Sequence, residues 1–159
     1  MTLFLFDIDQ TLINTGGAGL RALDRACRKL LGLEHAMEGI SPHGKTDPAI
    51  VREILRTKLH SPTPNSREIA ALLDAYIAFL KEEVESSSTY RVLPGIISIL
   101  EEFNQRPDVI VGLATGNVES GARIKLERGG LNGYFSFGGF GSDSERRADL
   151  VRKAAERAA

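Results

Sequence analysis

Two aspartates one residue apart follow a short apolar run near the start of the chain. The stretch "LFLFDIDQTL", residues 3–12, carries four large apolar residues directly before Asp7. Two carboxylates at the end of a buried strand repel each other and lose hydration, which a cation or a chemical role usually compensates. Asp7 and Asp9 occupy positions i and i+2, so they lie on the same side of an extended segment. We therefore expect a site for a hard cation such as Mg²⁺, which binds carboxylate oxygens and substrate phosphate.

A second polar cluster ends another apolar run. The run "VIVGLA", residues 109–114, is followed by Thr115, Gly116 and Asn117 at the predicted start of a helix. Hydroxyl, amide and backbone N–H groups in that position suit phosphate oxygens. If a cation neutralises the aspartates, one carboxylate can attack phosphorus while the other exchanges a proton with the leaving group. The two clusters together indicate phosphoryl-transfer chemistry.

Each cluster taken alone has a structural explanation. Asp9 and Thr11 can shape a turn, and a Thr-Gly-Asn triplet can cap a helix. Short motifs of this kind often occur without function. Their common position, each after a buried strand, makes the functional interpretation more specific.

The composition is that of an ordinary globular protein. The chain has 159 residues, 42% hydrophobic and 26% charged, with a formal net charge of −1. Such a balance gives no general attraction to nucleic acid or to anionic membranes. The single cysteine, Cys27, excludes an internal disulfide and a cysteine-built zinc site. We found no membrane-spanning apolar run and no signal peptide, so we expect a cytoplasmic location; the oligomeric state cannot be inferred.

Apolar periodicity predicts an alternation of strands and helices. Strands are expected at residues 3–6 and 109–114, with a short one in "YFSFGGFG". Helices are expected over 20–31, 48–59, 66–84, from 94, over 119–128 and near the end of the chain. Asp47 is expected to cap the second helix, and Ser142 with Glu145 has capping-box spacing before the last one.

This order predicts an α/β fold with a Rossmann-like parallel sheet and an inserted all-helical domain. Residues 1–14 and 92–159 would form the α/β core, and residues 15–91 the helical insert. Ligands of parallel α/β sheets bind beyond the carboxyl ends of the strands. We therefore expect the ligand in a cleft between core and insert.

The sequence resembles the haloacid dehalogenase superfamily, in its phosphoglycolate phosphatase and β-phosphoglucomutase branch. The motifs that carry the resemblance are "FDIDQTL", "VLPGI", "LATGN" and, in the insert, "GKTDPAI". The resemblance implies that Asp7 is a nucleophile forming an aspartyl-phosphate and that Asp9 is a general acid, then base. It also implies that Thr115 binds phosphate with Asn117 beside it. Mg²⁺ would be held by Asp7 and the backbone carbonyl of Asp9.

The remaining expected contacts follow from position. Thr11, Gly116 and Asn117 are expected phosphate contacts, and Lys45 and Thr46 are expected substrate contacts from the insert. The alternative for the "GKTDPAI" loop is a plain helix-capping role. His43 is expected to be a surface residue.

The sequence departs from the family pattern in three places. Gln10 stands where the family often has glycine. For the cationic third motif we favour Arg147 over Arg146 and Lys125, because Lys125 falls in mid-helix, where we expect a solvated face. A fourth motif, a strand ending in Gly-Asp, does not follow within the sequence, so the core is expected to be incomplete and β-strand 3–6 to have an open edge.

The expected function is Mg²⁺-dependent hydrolysis of a small phosphorylated metabolite. Two alternatives stay open: a phosphosugar mutase of the same superfamily, and a catalytically impaired fragment lacking the fourth motif. A receiver-like regulatory module, in which the phosphorylated aspartate is itself the signal, is disfavoured by the large insert.

Overall fold

A small parallel sheet forms the base of the molecule. The computed structural model describes all residues, 1–159. Its strands are β1 Thr2–Phe6, β2 Ile13–Asn14, β3 Arg91–Val92, β4 Val109–Ala114 and β5 Gly138–Gly139. Strands β1, β4 and β5 pair in parallel in the spatial order β1-β4-β5. All three strands therefore end at the same edge of the sheet, as an α/β fold requires.

Strand β1 lies at the edge of this sheet. Its apolar run is typical of a central strand, yet it pairs with β4 alone and its other side is free. Phe4 is 37% exposed, although its ring stacks on Phe103 with centroids 4.5 Å apart. The open edge expected from the sequence is therefore observed.

Six helices surround and extend the sheet. They are α1 Ala18–Leu31, α2 Asp47–Lys58, α3 Ser66–Ser86, α4 Ile96–Asn104, α5 Glu119–Glu127 and α6 Arg147–Ala158, with a 3₁₀ turn at Asn132–Tyr134. Helices α1 to α3 share one apolar cluster, which includes Cys27 and Tyr76. A second cluster, which includes Ile8, Leu113 and Phe140, packs on the sheet. None of the helices is long and apolar enough to cross a membrane.

Two predicted helix starts differ in detail. Thr46, and not Asp47, is the N-cap of α2, because its hydroxyl accepts a hydrogen bond from the Ala49 N–H. The capping box expected from Ser142 and Glu145 is wrong: α6 begins at Arg147 and has no side-chain cap. Ser142 instead accepts a hydrogen bond from the Glu119 N–H, at the start of α5. Spacing alone therefore did not identify the helix start.

Strands β2 and β3, which lie before α1 and after α3 in the chain, form a two-stranded antiparallel pair. Ile13 of β2 lies opposite Val92 of β3, and Asn14 lies opposite Arg91. Strands of two residues have no periodicity that sequence reasoning could detect. The pair holds the two ends of the segment that carries α1 to α3 next to each other.

Candidate active site

One cavity collects most of the residues singled out from the sequence. It has a volume of about 300 Å³ and lies between the carboxyl edge of the sheet and helices α1 to α3. The expected site residues that line it are Asp7, Asp9, Thr115, Gly116, Asn117, Lys45 and Arg147. The two strand-end clusters therefore face a common hollow.

Asp7 is positioned by the end of β1 and by α6. Its Oδ1 accepts the Ile8 N–H at 2.8 Å, and its Oδ2 accepts a hydrogen bond from Nη2 of Arg147 at 3.0 Å. Arg147 is the first residue of α6, which brings its guanidinium to the sheet edge. The contact orients the carboxylate and leaves it about one-third exposed to the cavity.

Asp9 is held by Asn117, in the motif after β4, and by Lys125, on helix α5. Nδ2 of Asn117 donates to Asp9 Oδ2 at 2.8 Å, and Nζ of Lys125 donates to the same oxygen at 2.8 Å and to Oδ1 at 3.0 Å. Burial alone raises the pKa of Asp9, but the charge of Lys125 and these hydrogen bonds lower it below its ordinary value. In the free site Asp9 is therefore a carboxylate.

The buried Lys125 is the functional candidate that sequence reasoning placed wrongly. It was expected on a solvated helix face, yet it is 5% exposed and its Nζ also donates to Oδ1 of Asn117 at 2.6 Å. Burial lowers the pKa of Lys125, but the negative charge of Asp9 and other nearby groups raises it above the usual range. The missed signal was spacing: Lys125 shares the buried face of α5 with Ala122 and Leu126.

The hydroxyl of Thr115 is held in place by hydrogen bonds from Asn117, in the same loop. The residue is fully buried, and its Oγ1 accepts Nδ2 of Asn117 at 2.8 Å and the Asn117 N–H at 3.2 Å. The neighbouring Gly116 touches the insert, since a Cβ there would stand 2.4 Å from the carbonyl oxygen of Lys45. Only glycine permits this close approach between core and insert.

Asp47 joins the insert to the same loop. Its backbone N–H donates to the Gly116 carbonyl at 2.8 Å, and its Oδ2 accepts the Val118 N–H at 2.9 Å. Burial raises the pKa of Asp47 to about 6, against the opposing influence of Lys125 and the Val118 hydrogen bond. Asp47 thus brings a carboxyl group from helix α2 to the cavity.

Three expected or alternative residues lie elsewhere. Thr11 is exposed and outside the cavity lining, and Thr46 is fully buried, where it caps α2 and donates to the Glu145 carbonyl. Arg146, the alternative to Arg147, is an exposed residue with a long ion pair to Asp149.

Lys45 does line the cavity, but its ammonium pairs with Glu53. Of the two insert residues, only Lys45 reaches the cavity.

The turn after β1 also explains the departure at Gln10. This residue adopts a φ of 63°, in the left-handed region that favours glycine. A side chain is therefore tolerated there at a cost of about 1 kcal/mol.

The carboxylates suit a magnesium ion. No group of three or more His, Cys, Asp or Glu side chains is arranged so that it could hold a metal ion without other ligands. Magnesium commonly uses only one or two carboxylates, with waters and substrate phosphate as its other ligands. Asp7 and Asp9 both line the cavity and are 35% and 41% exposed, so their oxygens are accessible to such an ion.

The fold has clear relatives among solved structures. A "predicted phosphatase" from Clostridium acetobutylicum is 16% identical, with a TM-score of 0.70 over 99% of this chain and 70% of that one. CbbY from Rhodobacter sphaeroides, solved in complex with phosphate, is 19% identical, with a TM-score of 0.74 over 98% of this chain and 72% of that one. A hydrolase from Pseudomonas syringae is 18% identical, with a TM-score of 0.74 over 99% and 70%. No curated protein sequence gives a significant match.

The family model agrees with these structural relatives. The model described as "Haloacid dehalogenase-like hydrolase" matches residues 4–159, which is nearly the whole chain. The match includes both strand-end motifs and all the helices of the insert. The chain belongs to the haloacid dehalogenase-like hydrolases.

Proposed function

We propose that this protein is a Mg²⁺-dependent phosphatase that hydrolyses a small phosphate monoester through an aspartyl-phosphate on Asp7. The observation that carries the proposal is the convergence of Asp7 and Asp9 with Thr115, Asn117 and Arg147 on one cavity. Carboxylates alone would repel a phosphate. The surrounding hydroxyl, amide and guanidinium donors make the cavity suitable for an anion.

In the first step, Asp7 attacks phosphorus and the bond from phosphorus to the ester oxygen breaks. Asp9 gives a proton to that oxygen, and the alcohol leaves. A phosphate dianion close to Asp9 raises the affinity of this carboxylate for the proton, since like charges disfavour ionisation. The pKa of Asp9 is therefore lowered only while the substrate is absent.

In the second step, Asp9 takes a proton from water, which attacks phosphorus and frees Asp7 and inorganic phosphate. Arg147, Thr115 and the backbone N–H groups after β4 stabilise charge on the phosphoryl oxygens. Lys125 and Asn117 position Asp9. Asp7 and Asp9 would hold the magnesium ion, which supplies charge neutralisation when bound.

Asp7→Asn tests the proposal directly. The amide keeps the shape of the side chain but cannot act as nucleophile, so turnover of p-nitrophenyl phosphate with Mg²⁺ should fall at least about a thousandfold. Asp108→Asn is the matched control, because Asp108 is exposed and pairs only with Arg106 outside the cavity. Full activity of Asp7→Asn would reject the assignment, and hydroxylamine trapping of an acyl phosphate in the unsubstituted protein would support it.

A further inference from the structure

The side-chain amide of Asn117 is fully used within the protein. The residue is 5% exposed and lines the cavity. Its Nδ2 donates to Oδ2 of Asp9 and to Oγ1 of Thr115, both at 2.8 Å, and its Oδ1 accepts from Nζ of Lys125 at 2.6 Å. An amide nitrogen carries only two hydrogens, and both are taken. Asn117 therefore has no free side-chain donor for a ligand.

Lys125 fixes the direction of this amide. An ammonium has three N–H donors and no acceptor, so the atom of Asn117 that lies beside it is the oxygen. The carboxylate of Asp9, which only accepts, lies beside the nitrogen. A flipped amide would set donor against donor and acceptor against acceptor in a buried place, which is costly. One orientation of the amide is therefore strongly favoured.

This orientation decides what the hydroxyl of Thr115 can do. Its Oγ1 accepts two hydrogen bonds, one from Nδ2 of Asn117 and one from the Asn117 backbone N–H at 3.2 Å. A hydroxyl has two acceptor lone pairs and one hydrogen, so both lone pairs are occupied. Thr115 is fully buried at the cavity, and its hydroxyl donates to no acceptor within the protein. The hydroxyl hydrogen is thus left for a ligand.

A hydroxyl that can only donate suits an oxygen that carries no proton. The oxygens of an oxyanion are such acceptors, and hydrogen bonds to charged acceptors are about twice as strong as neutral ones. The guanidinium of Arg147 lines the same cavity and favours the same kind of ligand. The hydrogen-bond directions around Thr115 therefore match an anion better than an alcohol or a water molecule.

We infer that Asn117 is a positioning residue, which makes the Thr115 hydroxyl a pure donor to the bound anion and gives no side-chain hydrogen bond to the anion itself. Lys125 acts one step further away by orienting the Asn117 amide. This role replaces the direct phosphate contact expected for Asn117 from the sequence. The inference rests on the proposed function in placing a phosphate in the cavity.

A double-mutant cycle in anion binding separates the two possible roles of Asn117. Dissociation constants for tungstate, a tetrahedral dianion, are measured by calorimetry with Mg²⁺. Thr115→Val keeps the shape but removes the hydroxyl, and we expect a loss of about ten- to a hundredfold in affinity, as for a hydrogen bond to a charged group. Asn117→Leu should cost about three- to tenfold while Thr115 is present, and less than about twofold in the Thr115→Val protein.

Conservative and matched variants show whether the hydroxyl carries the effect. Thr115→Ser keeps a hydroxyl, so its affinity should stay within about threefold, and Asn117→Leu should still weaken binding in that protein. Asn117→Ala repeats the comparison without the bulk of leucine. Asn104→Leu is the matched control, because Asn104 is exposed and lies outside the cavity.

Lys125→Met tests the orienting role of the ammonium. Loss of a positive charge weakens anion binding by itself, so the informative quantity is the difference between two backgrounds. The loss of affinity should be at least about twofold larger in the protein that has Asn117 than in Asn117→Leu. Equal losses would mean that Lys125 acts by charge alone and would overturn its orienting role.

Independent losses from Thr115→Val and Asn117→Leu would overturn the inference, because each residue would then contact the anion separately. Failure of the unsubstituted protein to bind tungstate would overturn it as well. If the coupling is found but the unsubstituted protein does not hydrolyse p-nitrophenyl phosphate, the proposed function fails and the positioning role of Asn117 stands.

Discussion

Replacing Lys125 with methionine tests the buried ion pair that holds Asp9. The Lys125 side chain is 6% exposed, and its ammonium makes three hydrogen bonds, two to Asp9 and one to Asn117, at 2.6–3.0 Å. Breaking a fully buried pair by removing one partner costs about 3–5 kcal/mol. The Asp9 side chain is 41% exposed and regains hydration when Lys125 is lost. We therefore expect a smaller loss, of about 2 kcal/mol in the free energy of unfolding.

Urea unfolding followed by circular dichroism at pH 7 measures this loss. Lys153→Met is the matched control, because Lys153 forms an exposed pair with Glu156 and should change stability by less than about 0.5 kcal/mol. In a double-mutant cycle, Lys125→Met and Asp9→Asn should be non-additive by at least about 1 kcal/mol. A loss from Lys125→Met as small as that of the control, or strict additivity, would refute the view that this pair positions Asp9.

Two further predictions concern the loop that joins the insert to the core. The pKa of Asp47 rises on folding from an ordinary 3.8 to about 6, so the folded state binds this proton more tightly. At pH 7.5 we expect Asp47→Asn to have a free energy of unfolding about 1–3 kcal/mol higher than the unsubstituted protein, and this difference should shrink towards pH 4.5. A difference that does not depend on pH would contradict the raised pKa. Thr46→Ala should cost about 1–2 kcal/mol, because it removes the cap of α2 and the hydrogen bond to Glu145. Thr57→Ala, at an exposed position on the same helix, should cost much less in the same urea titration, and equal losses would argue against the capping role.

Strong periodicity explains which elements could be predicted from the sequence. The run at 109–114 is a strand with the predicted bounds, and the long stripe after Asn65 is helix α3. Asp7, Asp9, Thr115 and Asn117 line one cavity because parallel strands end at one edge. The family resemblance is confirmed by the match over residues 4–159. The assignment of residues 1–14 and 92–159 to one domain and 15–91 to another stays a prediction.

The failures have local causes. The β2–β3 pair is too short to show a pattern. Ser142 was expected to cap α6, but its hydroxyl accepts a hydrogen bond at the start of α5. Lys125 and Tyr76 belong to apolar helix faces, where polar atoms cannot be placed without knowing what lies opposite. Both residues line a cavity that three separate helices and a sheet edge create together, which a single helix pattern does not reveal.

The unpaired edge of strand β1 leads directly to Asp7. The backbone of Thr2–Phe6 is held by a ladder on one side only, and Asp7 follows it directly. An exposed row of N–H and C=O groups is a template for any further strand that pairs with it. A strand added there would stiffen the support of Asp7 and narrow the spread of its carboxylate positions. The chemistry proposed for Asp7 would therefore respond to strand pairing at an edge that lies outside the cavity.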